Sequence, residues 1–387
     1  MTFPATIEAL RTDEALRRRE FPVAAEKVYL AHAAVCPLPA RVVTALSAYL
    51  GQVGRGGQFE YLHAEAENGA RAIAAELLGA SSQEIAFVPS TSAGLSLVAA
   101  GLDWQPGDNV VIPDSDFPSN IFPWLNLRRR GVEVRALPAR ADGLTTVEDV
   151  AATVDARTRL VALSSVHYAT GACTDVDAIG RFLQPRGILF CVDAIQSFGV
   201  LPLSAQYVDF LTADAHKWML GPQGMGILYV KQAHFERLHP ALLGWKSVAT
   251  SKDFTQLAIE FPPSARRYEP GSLNALGLVG LHAALSLLRD VGVAAIAERL
   301  AALRAYLAPR LEQKGYQVLG PTTSIRPSGI TSFRCTSDDD AAALYRRLDQ
   351  QKIVLSLRDD PEKRKCLRVA PHLYTTEAEL DTLLGAL

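Results

Sequence analysis

Short apolar runs alternate with amphipathic stretches through the first 230 residues of the chain. The apolar runs EIAFVPS, NVVIPDS, TRLVALSSV and GILFCVDA are bounded by polar or turn-forming residues, as is typical of strands buried on both faces. Between them, VEDVAATVD and DVDAIGRFLQPRG have the apolar spacing of helices. This alternation predicts an α/β fold with a mostly parallel central sheet.

The pattern changes in the last third of the chain. A long stretch with apolar residues at helical spacing is interrupted near Gly292, which predicts two consecutive helices. Beyond it, ITSFRCT and IVLSLR predict strands, and DDAAALYRRLDQQ and TTEAELDTLLGAL predict helices. We therefore expect a large domain at residues 25–275 and a smaller α+β domain built from residues 1–24 and 276–387.

Composition limits the classes of function. The chain has 387 residues, and its net charge of -2 gives no sign of a nucleic-acid or membrane-surface partner. No stretch resembles a signal peptide or is long enough to span a bilayer, so we expect a cytoplasmic protein. The 5 cysteines form no CxxC pair, which favours neither a metal site nor a disulfide framework.

Lys217 lies between two apolar runs, VDFLTA and MGILYV. Burial and nearby positive charge lower the pKa of a lysine, and a neutral amine can form an imine with an aldehyde. A lysine in this position is also compatible with a surface or ion-pair role.

Two more polar elements follow predicted strands. Asp193 ends GILFCVDA, where it could cap the next segment or pair with a protonated pyridine nitrogen. Ser90, Thr91 and Ser92 precede an amphipathic helix, where they could be ordinary caps or part of a phosphate site. Together, an imine lysine, an acid and an anion site fit pyridoxal phosphate.

The segments VDAIQSFGVLPL and VDFLTADAHKWMLGPQGMGILYV resemble the signature of the class V aminotransferase family of fold-type I pyridoxal-phosphate enzymes. Similarity continues in VYLAHAAVCPLPARVV, RRYEPGSLNALGLVGL and LRVAPHLYTTEAELDTLL. The resemblance implies the fold-type I architecture, pyridoxal 5'-phosphate as cofactor, an amino acid as substrate, and a homodimer with shared active sites.

The resemblance also implies roles for particular residues. Lys217 resembles the catalytic imine lysine, Asp193 the partner of the pyridine nitrogen, and Gln196 a contact to the ring hydroxyl or the imine. The remaining implied cofactor contacts are Thr91, Ser92 and His216 at the phosphate, Phe117 stacked on the ring, Tyr168 near the ring hydroxyl, and Ser272 at the phosphate of the neighbouring subunit. Arg358 stands in the place of the arginine that binds the substrate carboxylate, with Arg368 as the competing candidate.

Three residues depart from the family pattern. Phe117 stands where cysteine desulfurases of the family usually have histidine, whereas kynureninases have phenylalanine. Cys366 is expected in a charged turn that leads into a strand, which together with Phe117 weighs against a desulfurase. Asp214 stands where a small or hydroxyl residue usually lies near the phosphate, so we expect its charge to point elsewhere.

The residues leave the reaction open. Lys217 would act as a general base at the substrate Cα, after which several bonds can break. We expect a class V aminotransferase first, with a C–S or C–C lyase or an amino-acid epimerase as alternatives. A noncatalytic cofactor-binding protein is a further alternative, and a nucleotide-binding dehydrogenase is disfavoured because no GxGxxG follows an early strand.

Overall fold

The computed structural model describes residues 6–58, 64–250, 255, 258–321 and 327–387. Within these residues the helices are α1 (Ile7–Thr12), α2 (Glu14–Glu20), α3 (Val23–Glu26), α4 (Ala40–Val53), α5 (Ala64–Leu78), α6 (Thr91–Gly101), α7 (Phe122–Leu125), α8 (Val147–Thr153), α9 (Val176–Leu183), α10 (Ala275–Val291), α11 (Val293–Gln313), α12 (Asp338–Gln350) and α13 (Glu377–Ala386). Short 3-10 helices cover Ser82–Glu84, Pro118–Asn120, Asn126–Arg130, Gln184–Arg186, Gln232–His234 and Ala265–Tyr268.

The strands of the described residues form three sheets. They are β1 (Val28–Tyr29), β2 (Ile85–Val88), β3 (Asn109–Pro113), β4 (Glu133–Leu137), β5 (Thr158–Ser164), β6 (Leu189–Asp193), β7 (Phe210–Asp214), β8 (Gly226–Val230), β9 (Gln317–Val318), β10 (Thr331–Arg334), β11 (Ile353–Val354), β12 (Ser356–Asp359) and β13 (Lys365–Val369). The central sheet has 7 strands in the order β2-β8-β7-β6-β5-β3-β4.

The central sheet is mostly parallel, as predicted. Strands β3 to β7 run parallel to one another, whereas β8 is antiparallel to both β7 and β2. Side chains on β3 alternate between two hydrophobic cores, with Val111 in one core and Val110 and Ile112 in the other. This burial on both faces explains why the strands appear as continuous apolar runs in the sequence.

The predicted pair of long helices is α10 and α11, and the break between them is at Gly292, whose φ of 91° suits glycine. The two helices together have the length and apolar composition of a bent membrane span, with an angle of 78°, but no single helix of the described residues does. Helix α10 packs on α4 and α5.

The C-terminal part forms a 4-stranded antiparallel sheet in the order β12-β13-β10-β9. The N-terminal helices contact this part, since Arg17 of α2 forms an ion pair with Glu379 of α13 at 3.0 Å. That contact is consistent with the predicted grouping of residues 1–24 with 276–387, and the domain boundaries stay a prediction. Residues 1–5 lie outside the described residues.

Candidate active site

A cavity of about 290 Å³ lies where β6 and β7 end. Because these strands are parallel neighbours, Asp193 at the end of β6 and Lys217 just after β7 reach the same edge of the sheet. The described residues that line the cavity are Ala33, Ala34, Thr91, Ser92, Phe117, Ser119, Tyr168, Asp193, Ile195, Gln196, Asp214, His216, Lys217, Arg358 and Arg368. Each residue that the sequence assigned to the cofactor or the substrate is in this set, apart from Ser272.

A tight turn presents Lys217 to the cavity. The amide of Gly221 donates to the carbonyl of Ala215 at 2.9 Å, and Leu220 has a φ of 60°, a left-handed conformation that non-glycine residues rarely adopt. The Nζ atom of Lys217 lies 5.3 Å from the centroid of the Phe117 ring. Burial and the charge of Arg368 lower the pKa of Lys217 to about 8, so about one-tenth of its amine is neutral at pH 7, far more than for an ordinary lysine.

Asp193 is a buried acid with high proton affinity. Its Oδ1 accepts a hydrogen bond from the amide of Ile195 at 3.0 Å. Burial and the nearby charge of Asp116 raise the pKa of Asp193 to about 7. A carboxylate of that basicity is suited to share a proton with a ring nitrogen.

Asp116 is a supporting residue that the sequence reasoning missed. Its carboxylate accepts hydrogen bonds from the amide of Phe117 at 2.7 Å, from Asn120 Nδ2 at 2.9 Å and from Ser164 Oγ at 2.7 Å. Ser164 is the register partner of Asp193 in the sheet. Asp116 thus fixes the backbone of Phe117 and also raises the pKa of Asp193. Its position directly before Phe117 in DSDFPSN was the sequence feature that could have identified it.

The other end of the cavity is the N-terminus of α6. The Oγ atom of Ser90 caps the helix by accepting from the amide of Ala93 at 3.1 Å. Thr91 and Ser92 therefore occupy the first turn, where free N–H groups and the helix dipole favour an anion. Gly94 lets α6 lie directly on β7, because a Cβ at that position would be 2.3 Å from Oγ1 of Thr212.

Asp214 lies in this end of the cavity, so the prediction that it points elsewhere is wrong. The backbone amide of Thr91 lowers the pKa of Asp214, which offsets part of the effect of burial on its charge. Its Oδ2 is 3.5 Å from Nδ1 of His216. Burial and the charge of Lys217 lower the pKa of His216 to about 4, so this imidazole is neutral.

Gln196 is held from both sides. Its Oε1 accepts from Nε1 of Trp218 at 2.7 Å, and its Nε2 donates to the carbonyl of Ala33 at 3.1 Å. These bonds fix the amide plane and leave the second Nε2 hydrogen to reach a ligand in the cavity.

Phe117 and Tyr168 form the aromatic wall. Phe117 is 38% exposed and is therefore not an ordinary core residue. The two rings meet edge to face at 5.5 Å, and the hydroxyl of Tyr168 donates to the carbonyl of Asp359 at 3.3 Å. An apolar face is therefore available for a cofactor ring.

Two arginines line the opposite side. Arg368 is 1% exposed and donates through Nη1 to the carbonyl of Tyr168 at 2.6 Å. Burial and the charge of Arg358 lower the pKa of Arg368 to about 9. Arg358 is only partly buried, and its Nη1 donates to the carbonyl of Leu357 at 2.8 Å. Both arginines line the cavity and can contact a substrate. Arg368 is the more buried of the two and its Nε has no partner among the described residues, so an anionic ligand would stabilise its charge more.

Cys366 does not lie in a turn, and this prediction is corrected. It is a residue of β13, opposite Arg358 in the register with β12, and it is fully buried. Burial and the charge of Asp360 raise the pKa of the Cys366 thiol to about 12. Its thiolate is therefore scarce at neutral pH and is not directed into the cavity.

Pyridoxal phosphate fits these residues. Four buried polar atoms at the cavity have no hydrogen-bond partner among the described residues: Oγ1 of Thr91, Oδ1 of Asp214, Nδ1 of His216 and Nε of Arg368. The helix terminus suits a phosphate, Asp193 a pyridine nitrogen and Lys217 an aldehyde. No group of 3 or more His, Cys, Asp or Glu side chains in the described ranges could hold a metal ion.

A sequence model of the family described as Aminotransferase class-V matches residues 28–383. The chain belongs to the class-V aminotransferase family. A probable cysteine desulfurase from Methanothermobacter thermautotrophicus is 35% identical over 291 residues, which cover 73% of this chain and 72% of that relative. The family, its fold-type I architecture and its cofactor, pyridoxal 5'-phosphate, are thus as the sequence predicted, and the chain is a pyridoxal-phosphate-dependent enzyme.

Solved structures give the same picture of the fold. The apo structure of a cysteine desulfurase from Thermococcus onnurineus NA1 has a TM-score of 0.87, with 26% identity and 97% of each chain covered. A structure of the cystine C–S lyase C-DES with its reaction product, cysteine persulfide, has a TM-score of 0.86, with 26% identity over 94% of this chain and 98% of that chain. Among the reactions expected from the sequence, these relatives match the alternative of a C–S lyase.

Proposed function

We propose that this enzyme cleaves the C–S bond of a cysteine-derived amino acid by β-elimination, without using one of its own cysteines as a sulfur carrier. Two kinds of observation support this proposal. The relatives include cysteine desulfurases and a cystine C–S lyase. The cavity offers a neutral amine, a basic carboxylate and arginines for a carboxylate, which elimination from an amino acid needs.

The positions of the cysteines favour direct β-elimination over transfer of sulfur to a cysteine of the enzyme. All 5 cysteines lie in the part of the chain that the structure describes, and none of them lines the cavity. Burial raises the pKa of Cys36, a buried thiol, to about 12, as it does for Cys366. A desulfurase that receives sulfur on its own thiol needs a reactive cysteine at the substrate. Direct loss of a sulfur leaving group needs none.

The cavity residues divide the work of elimination. When bound, pyridoxal phosphate supplies an electron-withdrawing ring that takes up the electron pair left at Cα. The neutral amine of Lys217 accepts the Cα proton, and Asp193 shares a proton with the ring nitrogen. The Cβ–S bond breaks with its electron pair on sulfur, which leaves as a thiolate or persulfide anion. Water converts the released three-carbon enamine to pyruvate and ammonia.

Other residues would hold the ligands in place. Thr91, Ser92 and His216 would bind the phosphate, with Gln196 at the ring hydroxyl. We assign the substrate carboxylate to Arg368, because its Nε is buried and unpaired within the described residues, and Arg358 becomes the second candidate. Phe117 and Tyr168 would pack on the ring and exclude water from it.

We infer that two chains form a dimer with shared active sites, in which Ser272 contacts the phosphate in the partner. Ser272 is exposed and stands apart from the described residues that line the cavity. The neighbouring segment exposes Leu242 by 63%, Leu243 by 54% and Trp245 by 48%. Lys246 donates its amide to the carbonyl of Pro270 at 3.4 Å, so this apolar surface adjoins Ser272. Such clusters are typical of interfaces between subunits.

We also propose a cytoplasmic location. Cys36, Cys191, Cys335 and Cys366 are free thiols, which is usual in a reducing compartment.

Product analysis tests the proposed reaction. The enzyme with bound cofactor is incubated separately with L-cystine, L-cysteine and S-substituted cysteines, and pyruvate, alanine and ammonia are measured. The proposal predicts equal amounts of pyruvate and ammonia over many turnovers without an added keto acid, and none from a Lys217→Ala variant. Alanine as the three-carbon product would contradict it. Turnover that requires a keto acid and releases no ammonia would instead indicate a transaminase.

A further inference from the structure

The proposed phosphate site already contains a carboxylate. Asp214 is the last residue of β7, is 7% exposed and lines the cavity beside Thr91 and His216. Its Oδ1 is buried and has no hydrogen-bond partner in the described part of the chain. Thr91 Oγ1 and His216 Nδ1, which lie around it, lack partners in the same way.

This carboxylate occupies the anion position of α6. Ser90 satisfies the amide of Ala93, and the amide of Thr91 faces Asp214 and lowers the pKa of that carboxyl. Helix α6 has 11 residues, long enough for a helix dipole to favour negative charge at this end. Because Gly94 brings α6 directly against Thr212, the helix terminus and Asp214 are forced into one small space.

The charges that face Asp214 do not neutralise a second anion. On its own strand and the following turn it faces the neutral His216 and Lys217, which is mostly protonated below about pH 8, and β6 contributes Asp193, another acid. Strand β8 contributes Gly226, which has no side chain; a Cβ there would be 3.0 Å from Oδ1 of Asp214. Burial raises the pKa of Asp214 to about 6, while the Thr91 amide and Lys217 lower it.

We propose that Asp214 takes up a proton when the cofactor phosphate binds, and that its carboxyl group then donates a hydrogen bond to a phosphate oxygen. Two anions in one buried site raise each other's proton affinity, and a protonated carboxyl becomes a donor. The inference rests on the phosphate site of the proposed function, and it goes beyond it by coupling cofactor binding to proton uptake.

Proton uptake by Asp214 predicts how the affinity for the phosphate should change with pH. Below the pKa that Asp214 has in the cofactor-free enzyme, the carboxyl already holds its proton, so phosphate binding requires no further proton uptake. Above it, each pH unit should weaken binding by up to about tenfold, for as long as the bound form keeps the proton. An asparagine at this position offers an amide donor that does not titrate. Asp214→Asn should therefore bind within a few-fold of the wild type at about pH 6 and up to about 100-fold more tightly at about pH 8.

The experiment uses a probe that cannot react with Lys217. Cofactor-free enzyme is titrated calorimetrically with 4-deoxypyridoxine 5'-phosphate, which has no aldehyde, and with 4-deoxypyridoxine, which has no phosphate. Titrations at about pH 6 and about pH 8, in two buffers of different ionisation enthalpy, give both the affinity and the number of protons taken up. Asp214→Thr, with a hydroxyl donor, is a second variant, and the circular dichroism of each variant checks its fold.

The outcomes separate the inference from the proposed function. We expect the wild type to take up about one proton more than either variant at the higher pH, and only with the phosphate probe. Equal proton uptake and equal pH dependence in all three proteins would overturn the inference and leave the phosphate site intact. If the phosphate adds no affinity in any protein and Thr91→Val changes nothing, the phosphate site itself is wrong, and the inference falls with it.

Discussion

The choice between the two arginines can be decided by removing each one. Arg368→Ala removes a guanidinium that is 1% exposed, whose Nε has no partner among the described residues. If this group binds the substrate carboxylate, the variant leaves that carboxylate buried without a counter-charge. Arg358→Ala is the matched control, since Arg358 lines the same cavity but is less buried and bonds to the carbonyl of Leu357.

The expected magnitude follows from burial. Truncating one partner of a buried charged pair costs about 2–5 kcal/mol, which corresponds to a loss of about 30-fold to several thousand-fold in kcat/KM. Because the carboxylate is bound in the ground state and in the transition state alike, most of the loss should be in KM. We expect a loss below about tenfold for Arg358→Ala, as for a screened and partly exposed charge.

A second signature of Arg368→Ala concerns Lys217. The charge of Arg368 is, after burial, the largest cause that lowers the pKa of Lys217. Its removal favours the ammonium form, so the pKa should rise above about 8 and the acid limb of the activity profile, where Lys217 gains its proton, should move to higher pH. A purely structural loss would reduce activity without moving this limb.

The assay compares kcat/KM for L-cystine and for cystamine, which has the same disulfide but no carboxylate. The penalty of Arg368→Ala should disappear with cystamine, because that substrate has nothing to bind there. The reasoning is refuted if Arg358→Ala causes the larger loss with L-cystine, or if Arg368→Ala loses equally with both substrates while its circular dichroism is native.

Three further predictions address the amine, the thiol and the dimer. Since the pKa of Lys217 is lowered to about 8, the rate at which the cofactor-free enzyme captures pyridoxal should rise about tenfold per pH unit up to that pH and then level off. Stopped-flow absorbance measures this rate, and a rate still rising steeply above about pH 9 would contradict the lowered pKa. Cys366→Ala should keep kcat within about twofold and lose about 1 kcal/mol in urea unfolding, because it deletes a buried sulfur that does not line the cavity; loss of turnover in a folded variant would restore a catalytic role. Trp245→Glu should shift sedimentation from dimer towards monomer, because it places a charge in the apolar surface. Glu148→Gln, at an exposed position, is the control and should not change sedimentation. If Trp245→Glu remains a dimer, the interface does not include this surface.

The edge of the sheet that carries the site is predictable because β6 and β7 appear as apolar runs that end in polar residues. Asp193 and Lys217 follow neighbouring parallel strands, and parallel strands end at the same edge. The direction of β8 is not predictable from its own residues, because an apolar run looks the same in either direction. The evidence lies in the connection instead, since residues 215–225 have no helical crossover and an antiparallel strand follows.

The misplacement of Cys366 has a local cause. Its charged neighbours suggest a turn, but Asp359 and Lys365 face each other across β12 and β13 and form an ion pair at 2.7 Å. These charges lie at the more exposed end of the antiparallel pair, whereas Cys366 and Leu367, further along β13, are buried. Because β13 is short and is buried on both faces, its residues give no alternation that could outweigh the charges.

The placement of Asp214 depends on contacts between distant parts of the chain. Its charge is tolerated in the cavity because the amide of Thr91, at the start of α6, and the charge of Lys217 lower its pKa. Only the packing of α6 on β7, permitted by Gly94, creates that contact. Sequence patterns identify both elements, but they do not show which backbone amide will reach which carboxylate.

The most direct test of the proposed function is the mass of the intact protein after turnover. The enzyme with bound cofactor is mixed with L-cystine or L-cysteine, quenched in acid without reductant and measured by mass spectrometry, while sulfur compounds in solution are quantified. The account predicts an unchanged protein mass, with all of the released sulfur in solution as persulfide or sulfide. A protein heavier by one sulfur atom, with the added atom mapped to Cys366 or another cysteine, would contradict it.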